Sequence, residues 1–213
     1  IRYSTTQGTN AIVERKGPKL GLVVNKGNSD LVERMRAQDP DLYDFFVGDR
    51  VEEIDLDHLG DADSAADSAT VITRLTSNGA NRVVVCFDVD NAAEKETQFK
   101  QVAFDNYPRH LLGAVPMLFA SELADDVSGD RRAWTALINS FLHPAMENFL
   151  YNAENRLREY RTKNPLLIFR NDGDASRVAK TIALKTYSSG PRGGMEGVKA
   201  FSKQYNLSNV LSM

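Results

Sequence analysis

Residues 82–89, RVVVCFDV, form an almost unbroken apolar run, which predicts a strand buried on both faces of a parallel sheet. The preceding segment 64–79, SAADSATVITRLTSNG, predicts a helix that ends at Gly79. The charged segment 91–107, NAAEKETQFKQVAFDNY, predicts a second helix directly after the strand. Because strands that alternate with helices are typical of α/β proteins, this stretch predicts an α/β fold with a largely parallel sheet.

The alternation of helices and strands continues toward the N-terminus. Residues 5–17 predict a helix that stops at Gly17, residues 19–25 a strand, and residues 29–38 a helix that Pro40 prevents from continuing. The acidic segment from 42 to 59 predicts an irregular connection.

Toward the C-terminus, residues 113–121 predict an edge strand, because Pro116 has no N–H to donate to a neighbouring strand. Residues 131–160 predict a long helix that Pro144 kinks or splits. The remaining predictions are a strand at 164–170, a short helix at 174–182 and a final helix at 193–205. A weak boundary is expected near residues 107–113.

Composition narrows the class of protein. The chain has 213 residues, 42% of them hydrophobic, with a formal net charge of -3. Since no basic tract stands out, we expect no binding to nucleic acid or to an anionic membrane surface. No apolar run approaches the roughly 20 residues that span a bilayer, and no signal peptide opens the chain, so we expect a soluble, cytoplasmic protein. Both ends of the chain are typical of cuts through a longer polypeptide.

The residues that commonly bind metals lack the spacing of a metal site. His58, His110 and His143 form no ligand pair of the HExxH kind, which argues against a catalytic zinc. The acidic segment 55–67 lacks the central glycine and closing glutamate of a calcium loop, so we interpret it as a solvated loop that caps the next helix. Cys86 is the only cysteine, and its apolar surroundings indicate a buried structural thiol.

Three polar segments are candidates for ligand binding, and each also has a structural interpretation. The hydroxyls of STTQGTN, residues 4–10, can cap a helix or meet a phosphate. The segment RNDGD, residues 170–174, follows a strand and can bind a magnesium-linked phosphate or a substrate, or shape a turn. The segment SSGPRGGMEG, residues 188–197, can cradle an anion or pack a helix closely on a sheet.

Taken together, four segments resemble the ATP-dependent hydantoinase A, 5-oxoprolinase and acetone or acetophenone carboxylase family. They are TTQGTNAIVERKG at 5–17, LGLVVNKG at 20–27, LLIFRNDGD at 166–174 and SSGPRGG at 188–194. The resemblance places residues 1–107 at the end of the hydantoinase/oxoprolinase N-terminal region. It places residues 108–213 at the start of the hydantoinase A/oxoprolinase core region.

The resemblance implies an incomplete lobe of the actin-like, or ribonuclease H-like, ATPase type, because the two glycine-rich phosphate loops of the family have no counterpart in this chain. It implies ATP and Mg²⁺ as cofactors of the complete protein and a second large subunit or domain of the hydantoinase B type as partner. The implied chemistry is phosphorylation of a carbonyl oxygen, followed by hydrolytic ring opening of a cyclic amide or by carboxylation of a ketone. A non-catalytic interaction module and a metabolite-binding domain unrelated to ATP stay open.

The resemblance also implies which residues lie at the site. Thr5, Thr6 and Asn10, together with the turn of Asn171, Asp172 and Gly173, are the expected contacts for nucleotide or substrate. A further set is expected to position a loop in the wall of the cleft: Ser189, Gly190, Gly193 and Gly194. The chain departs from the family pattern at Tyr3, Ser4, Asp174 and Arg192.

Overall fold

A computed structural model describes residues 2–59, 61, 64–106 and 114–211. The chain divides into two compact units, Pro18–Phe141 and Ile1–Gly17 together with Leu142–Met213. The boundary predicted near 107–113 and the side chain of His110 lie outside the described residues. The sequence division at residue 107 concerns family regions and stays a prediction.

The unit Pro18–Phe141 is built on a parallel four-stranded sheet. Its strands are β2 (Leu20–Asn25), β3 (Val51–Ile54), β4 (Arg82–Val85) and β5 (Met117–Phe119), in the order β3-β2-β4-β5. Its helices are α2 (Ser29–Gln38), α3 (Pro40–Phe46), α4 (Ser64–Ser77), α5 (Ala92–Asn106) and the beginning of α6 (Gly129–Glu159). The predicted parallel α/β arrangement is therefore confirmed here, and β5 lies at the edge as Pro116 predicted.

The core of this unit explains why β2 and β4 are continuously apolar. Every residue of β2 is buried, and the last three residues of β4 are fully buried. Gly21 in β2 allows the closest approach: a Cβ atom there would lie 3.1 Å from the Cβ of Ala80 and 3.1 Å from the Cδ1 of Leu75. Helix α4 therefore packs directly on the backbone of the central strand.

The prediction of an irregular segment from 42 to 59 is wrong. The structure has α3 at Pro40–Phe46 and β3 at Val51–Ile54 in this stretch. Asp39 caps α3 by accepting a hydrogen bond of 3.0 Å from the N–H of Leu42, and Pro40 occupies the first turn, where a proline is tolerated. Pro40 therefore starts a helix as well as ending one, and β3 is stabilised by pairing with β2, a partner distant in sequence.

The second unit contains a smaller mixed sheet. Its strands are β1 (Arg2–Tyr3), β6 (Leu167–Phe169) and β7 (Ala175–Arg177), in the order β1-β6-β7, with β1 parallel and β7 antiparallel to β6. The other elements are α1 (Gln7–Val13), the rest of α6, short 3-10 turns at Val178–Lys180 and Ala183–Thr186, and α7 (Ser189–Tyr205).

Three predictions for this unit need correction. The helix predicted at 174–182 is wrong, because Ala175–Arg177 turns back as a strand through Gly173, whose φ of +93° suits glycine. Helix α6 runs uninterrupted through Pro144, so a split is wrong and the alternative of a kink stays a prediction; Leu142 and Met146 on either side of the proline are buried. Helix α7 begins at Ser189, four residues before the predicted start at 193.

Candidate functional site

The three polar segments singled out in the sequence belong to the same unit. Strands β1 and β6 are parallel neighbours, with Tyr3 opposite Ile168. The segments 4–10 and 170–174 therefore leave the sheet at the carboxyl ends of adjacent strands, which is where ligands bind in open α/β sheets. The third segment, at the start of α7, contacts the first of them.

Hydroxyl groups join the segment 4–10 to the start of α7. The Oγ atoms of Ser4 and Ser189 lie 3.1 Å apart, and the hydroxyl of Ser189 donates to the main-chain oxygen of Thr5 at 3.5 Å. The N–H of Ser188 donates to the Oγ1 of Thr9 at 3.3 Å. Ser189 is fully buried, so this contact is part of the packing of the unit.

Thr5, Thr6 and Asn10 lie at the beginning of α1, where capping and ligand binding were both open. The Oγ1 of Thr5 accepts from the N–H of Gln7 at 3.1 Å, and Thr5 is buried. Thr6 is the residue before the helix, and its hydroxyl makes no capping hydrogen bond. Thr6 and Asn10 are exposed. Capping therefore accounts for Thr5, and a ligand contact at Thr6 and Asn10 stays a prediction.

The glycine-rich segment is helical and does not form the expected loop. Ser189, Gly190, Gly193 and Gly194 all lie in the first two turns of α7, and Ser188 before them has a left-handed φ of 54° and makes no side-chain cap. The first N–H groups of a helix lack partners within the helix and carry partial positive charge. The start of α7 is thus chemically suited to an anion without being a flexible loop.

The individual glycines differ in what surrounds them. A Cβ atom at Gly193 would lie 3.4 Å from the Phe169 ring, so close packing of helix on strand accounts for this glycine. A Cβ atom at Gly190 would lie 3.8 Å from the Oγ of Ser4. A Cβ atom at Gly194 would meet no atom within 4 Å among the described residues. No protein contact in that part of the chain requires a glycine at 194.

In the turn after β6, the polar groups form hydrogen bonds within the protein. The N–H of Asn171 donates to the oxygen of Lys185 at 2.8 Å, and its side-chain amide donates to the oxygen of Leu184 at 3.1 Å. The N–H of Gly173 donates to the oxygen of Arg170 at 3.1 Å, which closes the turn. The turn-shaping interpretation therefore accounts for Asn171 and Gly173, and ligand binding by them stays a prediction.

Asp172 is the most strongly engaged side chain of this turn. It pairs with Arg170 and with Lys185 at 3.2 Å each, and accepts from the N–H of Asp174 at 3.1 Å. Burial by itself raises the pKa of Asp172, but the hydrogen bond from Asp174 and the two cations outweigh it, so the pKa lies below its ordinary value. Asp172 is therefore ionised at neutral pH.

Arg192, a departure from the family pattern, lies in the first turn of α7, and its side chain reaches the turn at Gly173. It pairs with Glu196 at 2.8 Å, and its Nη2 lies 3.3 Å from the position of a Cβ atom at Gly173. Its charge is thus partly neutralised by a carboxylate one turn further along α7.

No metal centre is assembled by the described residues. Within residues 2–59, 61, 64–106 and 114–211, no three His, Cys, Asp or Glu side chains are placed to hold a metal ion. In the acidic segment, Asp55 accepts from the N–H of Asp57 at 3.1 Å and pairs with Lys26 at 3.3 Å. Asp63 lies outside the described residues.

Sequence reasoning missed a cavity in the unit Pro18–Phe141. The cavity of about 490 Å³ lies beyond the carboxyl ends of β4 and β5. Asp88 and Arg132 are among its lining residues. Asp88 follows the buried strand β4 closely, and this position was the one sequence signal that could have indicated the cavity. Arg132 could not have been identified, because only the tertiary fold buries it.

Beside this cavity, the structure confirms that Cys86 is a buried thiol. Cys86 is fully buried, and its Sγ contacts the main-chain oxygen of Gly129 at 3.5 Å. Burial, assisted by the charge of Glu96, raises the pKa of Cys86 to about 12. The thiol therefore stays protonated and unreactive near neutral pH.

Across the described part of the chain, none of the helices is long and apolar enough to cross a membrane.

Comparison with known proteins gives consistent matches. The family model described as hydantoinase/oxoprolinase N-terminal region matches residues 1–100, and the model described as hydantoinase/oxoprolinase matches residues 132–213. The acetophenone carboxylase gamma subunit of Aromatoleum aromaticum is 24% identical over 238 residues, covering 100% of this chain and 32% of that protein. The 5-oxoprolinase 1 of Arabidopsis thaliana is 27% identical over 222 residues, covering 92% of this chain and 18% of that protein.

A solved structure shares the fold. The nucleotide-free structure of acetone carboxylase, from a study of ATP-dependent acetone carboxylation, superimposes with a TM-score of 0.75 and 21% identity, over 96% of this chain and 32% of that chain. The expected α/β fold of the actin-like ATPase type is confirmed by this likeness. The chain spans about a third or less of the length of these proteins.

Proposed function

Because the chain belongs to the hydantoinase/oxoprolinase family, we propose that it forms part of an enzyme that uses ATP to activate a carbonyl group. In the leading form of the proposal, the carbonyl oxygen of a cyclic amide is phosphorylated and water then opens the ring. An amide carbonyl is a poor electrophile, and phosphorylation of its oxygen creates a good leaving group. The 27% identical 5-oxoprolinase supports ring opening, since 5-oxoproline is a cyclic amide.

One geometric observation carries the proposal. The uncapped start of α7 contacts the hydroxyl-rich segment 4–10 through the 3.1 Å approach of Ser4 and Ser189. Phosphoryl transfer depends mainly on positioned N–H and cationic groups that neutralise oxygen charge. A helix start near the exposed Thr6 hydroxyl offers both donors and positive potential to a phosphate.

The described residues fit a phosphate group better than they fit a metal ion. Gly194, in the second turn of α7, lies in open space, so a phosphate bound at the N–H groups of the first turn would meet no side chain at this position. Thr6, exposed before α1, can donate its hydroxyl to the same group. Mg²⁺ would accompany ATP, but among the described residues no group of three His, Cys, Asp or Glu side chains is placed to hold it.

Carboxylation of a ketone is the second candidate. It is favoured by the 24% identical acetophenone carboxylase gamma subunit, which matches the whole of this chain. In this form of the proposal, ATP phosphorylates the enol oxygen of the ketone, and bicarbonate is activated as carboxyphosphate. The enol carbon then bonds to the carboxyl carbon, and both phosphates leave as inorganic phosphate. The same residues would serve either reaction, because both begin with phosphoryl transfer to oxygen.

The wider assignments rest on the family. We infer that the complete protein works with a second large subunit or domain of the hydantoinase B type. A cytoplasmic location stays a prediction.

The test is substrate-dependent ATP cleavage by the complete protein together with its partner. Cyclic amides such as 5-oxoproline and hydantoin form one arm, and acetone or acetophenone with bicarbonate form the other. We expect phosphate release to rise with one class of substrate and to be accompanied by its ring-opened or carboxylated product. Absence of substrate-dependent ATP cleavage with every member of both classes would exclude both reactions and would favour the non-catalytic interaction module.

A further inference from the structure

The cavity in the unit Pro18–Phe141 has the size and position of a ligand site. Its volume of about 490 Å³ falls within the range of roughly 300–1,000 Å³ that small-molecule sites occupy. It lies beyond β4 and β5 of a parallel sheet, where ligands bind in such folds. None of the residues assigned to phosphoryl transfer above lines it.

A buried cation forms one wall of this cavity. Arg132 is 6% exposed, and two of its donors are used by neutral main-chain oxygens: that of Phe87 at 2.8 Å and that of Asp126. A guanidinium has five N–H donors, and the Nε of Arg132 has no hydrogen-bond partner. Among the described residues, no carboxylate forms an ion pair with Arg132. The carboxyl groups of Glu96 and Asp126 act on Arg132 electrostatically without forming a direct ion pair. The Nε–H of Arg132 therefore stays without an acceptor, and an anionic group that reached it from the cavity would be stabilised.

Four carboxylates, those of Asp88, Asp90, Asp125 and Asp126, also line the cavity. Asp88 pairs with Arg34 at 2.5 Å, and Asp126 pairs with Arg131 at 2.7 Å. Asp90 and Asp125 are exposed, and in the described part of the chain neither forms an ion pair. These two negative charges would attract a cationic group and would repel a ligand that carries only negative charge.

The rest of the lining is mostly apolar, with one oriented hydroxyl. Ser121 donates its hydroxyl hydrogen to the buried carboxylate of Glu96 at 2.6 Å. The Ser121 oxygen can therefore only accept a further hydrogen bond, which suits an N–H donor of a ligand. The apolar part of the lining consists of Val89, Ala92, Ala93, Ala124 and Val127.

We propose that this cavity binds a small molecule that carries both a carboxylate and an ammonium group. The carboxylate contacts Arg132, the ammonium group contacts Asp90 and Asp125, and a short hydrocarbon chain between them packs on the alanine and valine side chains. The proposal does not depend on the reaction proposed above, because the two sites share no residue.

Three probes of equal chain length test the proposal on the full chain by isothermal titration calorimetry at low salt. They are 4-aminobutyrate, with both charges, butyrate, with the carboxylate alone, and butylamine, with the ammonium group alone. We expect 4-aminobutyrate to bind at least about tenfold more tightly than either single-charged probe. Equal affinity for 4-aminobutyrate and butylamine, or for 4-aminobutyrate and butyrate, would overturn the proposal, as would no measurable binding of 4-aminobutyrate.

Variants then locate the binding. Asp90→Asn/Asp125→Asn removes two exposed charges and should abolish the preference for 4-aminobutyrate over butyrate. Asp41→Asn/Asp105→Asn, which changes the net charge equally at exposed positions outside the cavity lining, serves as the control and should bind all three probes as the natural chain does. Equal effects of the two double variants would place the binding elsewhere and sink the assignment.

The role of Arg132 is tested by Arg132→Met, which retains much of the side-chain volume without the charge. We expect the preference for 4-aminobutyrate over butylamine to disappear while the far-ultraviolet circular dichroism stays unchanged. An unchanged preference would contradict the assigned contact. If the variant does not fold, the comparison of 4-aminobutyrate with butylamine on the natural chain decides the same point.

Discussion

Replacing Gly194 with alanine tests whether α7 needs a glycine at this position for its packing or for binding a phosphate. Glycine inside a helix is less favourable than alanine by about 1 kcal/mol. A Cβ atom at 194 would meet no atom within 4 Å, so no clash offsets this gain. We expect Gly194→Ala to raise the free energy of unfolding by about 0.5–1 kcal/mol, or the midpoint temperature by roughly 1–4 °C.

Gly197 provides the matched control for this measurement. It lies one turn further along α7, and a Cβ atom there would also meet no atom within 4 Å. Gly197→Ala should therefore stabilise the chain by a similar amount. Gly193→Ala should gain less, because its Cβ atom would lie 3.4 Å from the Phe169 ring. Thermal unfolding followed by circular dichroism measures all three, and a destabilising Gly194→Ala would refute the geometry.

The functional part of the prediction uses the complete protein. If a phosphate approaches the backbone at the start of α7, the methyl group of Gly194→Ala will obstruct it, and the KM for ATP should rise at least about tenfold. Gly197→Ala should leave this KM unchanged. Equal ATP kinetics for the two variants would show that no phosphate approaches at 194, and α7 would then have a packing role only.

Three further predictions concern the unit Pro18–Phe141. Phe46 is fully buried, and its ring centroid lies 4.6 Å from that of Phe141. Phe46→Ala should therefore lower the free energy of unfolding, measured in urea, by about 3–5 kcal/mol. The control Phe201→Ala, at a 63% exposed position, should lower it by about 0.5 kcal/mol. Because burial raises the pKa of Cys86 to about 12, iodoacetamide at pH 7.5 should modify it only in denaturant; rapid labelling of the native chain would contradict the burial. Burial also raises the pKa of Glu96 above its ordinary value, despite the hydrogen bonds from Ser121. The stabilisation from the protonated Glu96 side chain is therefore present in full below the unfolded-state pKa, and it is lost as the pH rises through the folded-state pKa. Between pH 4 and 7 the free energy of unfolding of the natural chain should therefore fall relative to Glu96→Gln, and parallel pH profiles would exclude this effect.

Local patterns were sufficient for most helices and for the buried strands. The apolar run of β4, the alternation around it and the proline beside β5 predicted a parallel α/β sheet and its edge. These features depend on the period of apolar residues and on the missing N–H of proline, both properties of neighbouring residues. The four quoted segments were likewise sufficient to identify the family.

Elements that depend on distant partners were not predictable. Strand β3 exists because it pairs with β2, and β7 exists because the turn at Gly173 returns the chain onto β6. The segment 174–182 by itself has no strand pattern that would indicate this pairing.

For the candidate sites as well, the sequence predicted some features and the tertiary structure decided the others. The sequence by itself determined which polar segments are candidates for ligand binding and that segment 170–174 follows a strand. The contact between Ser4 and Ser189 required the tertiary structure. Only the tertiary structure decided that Gly193 packs on Phe169 while Gly194 lies in open space, and that Arg132 is a buried cation facing a cavity. The physical reason is that burial and the loss of solvent around a charge arise from residues far apart in the chain, which no local pattern encodes.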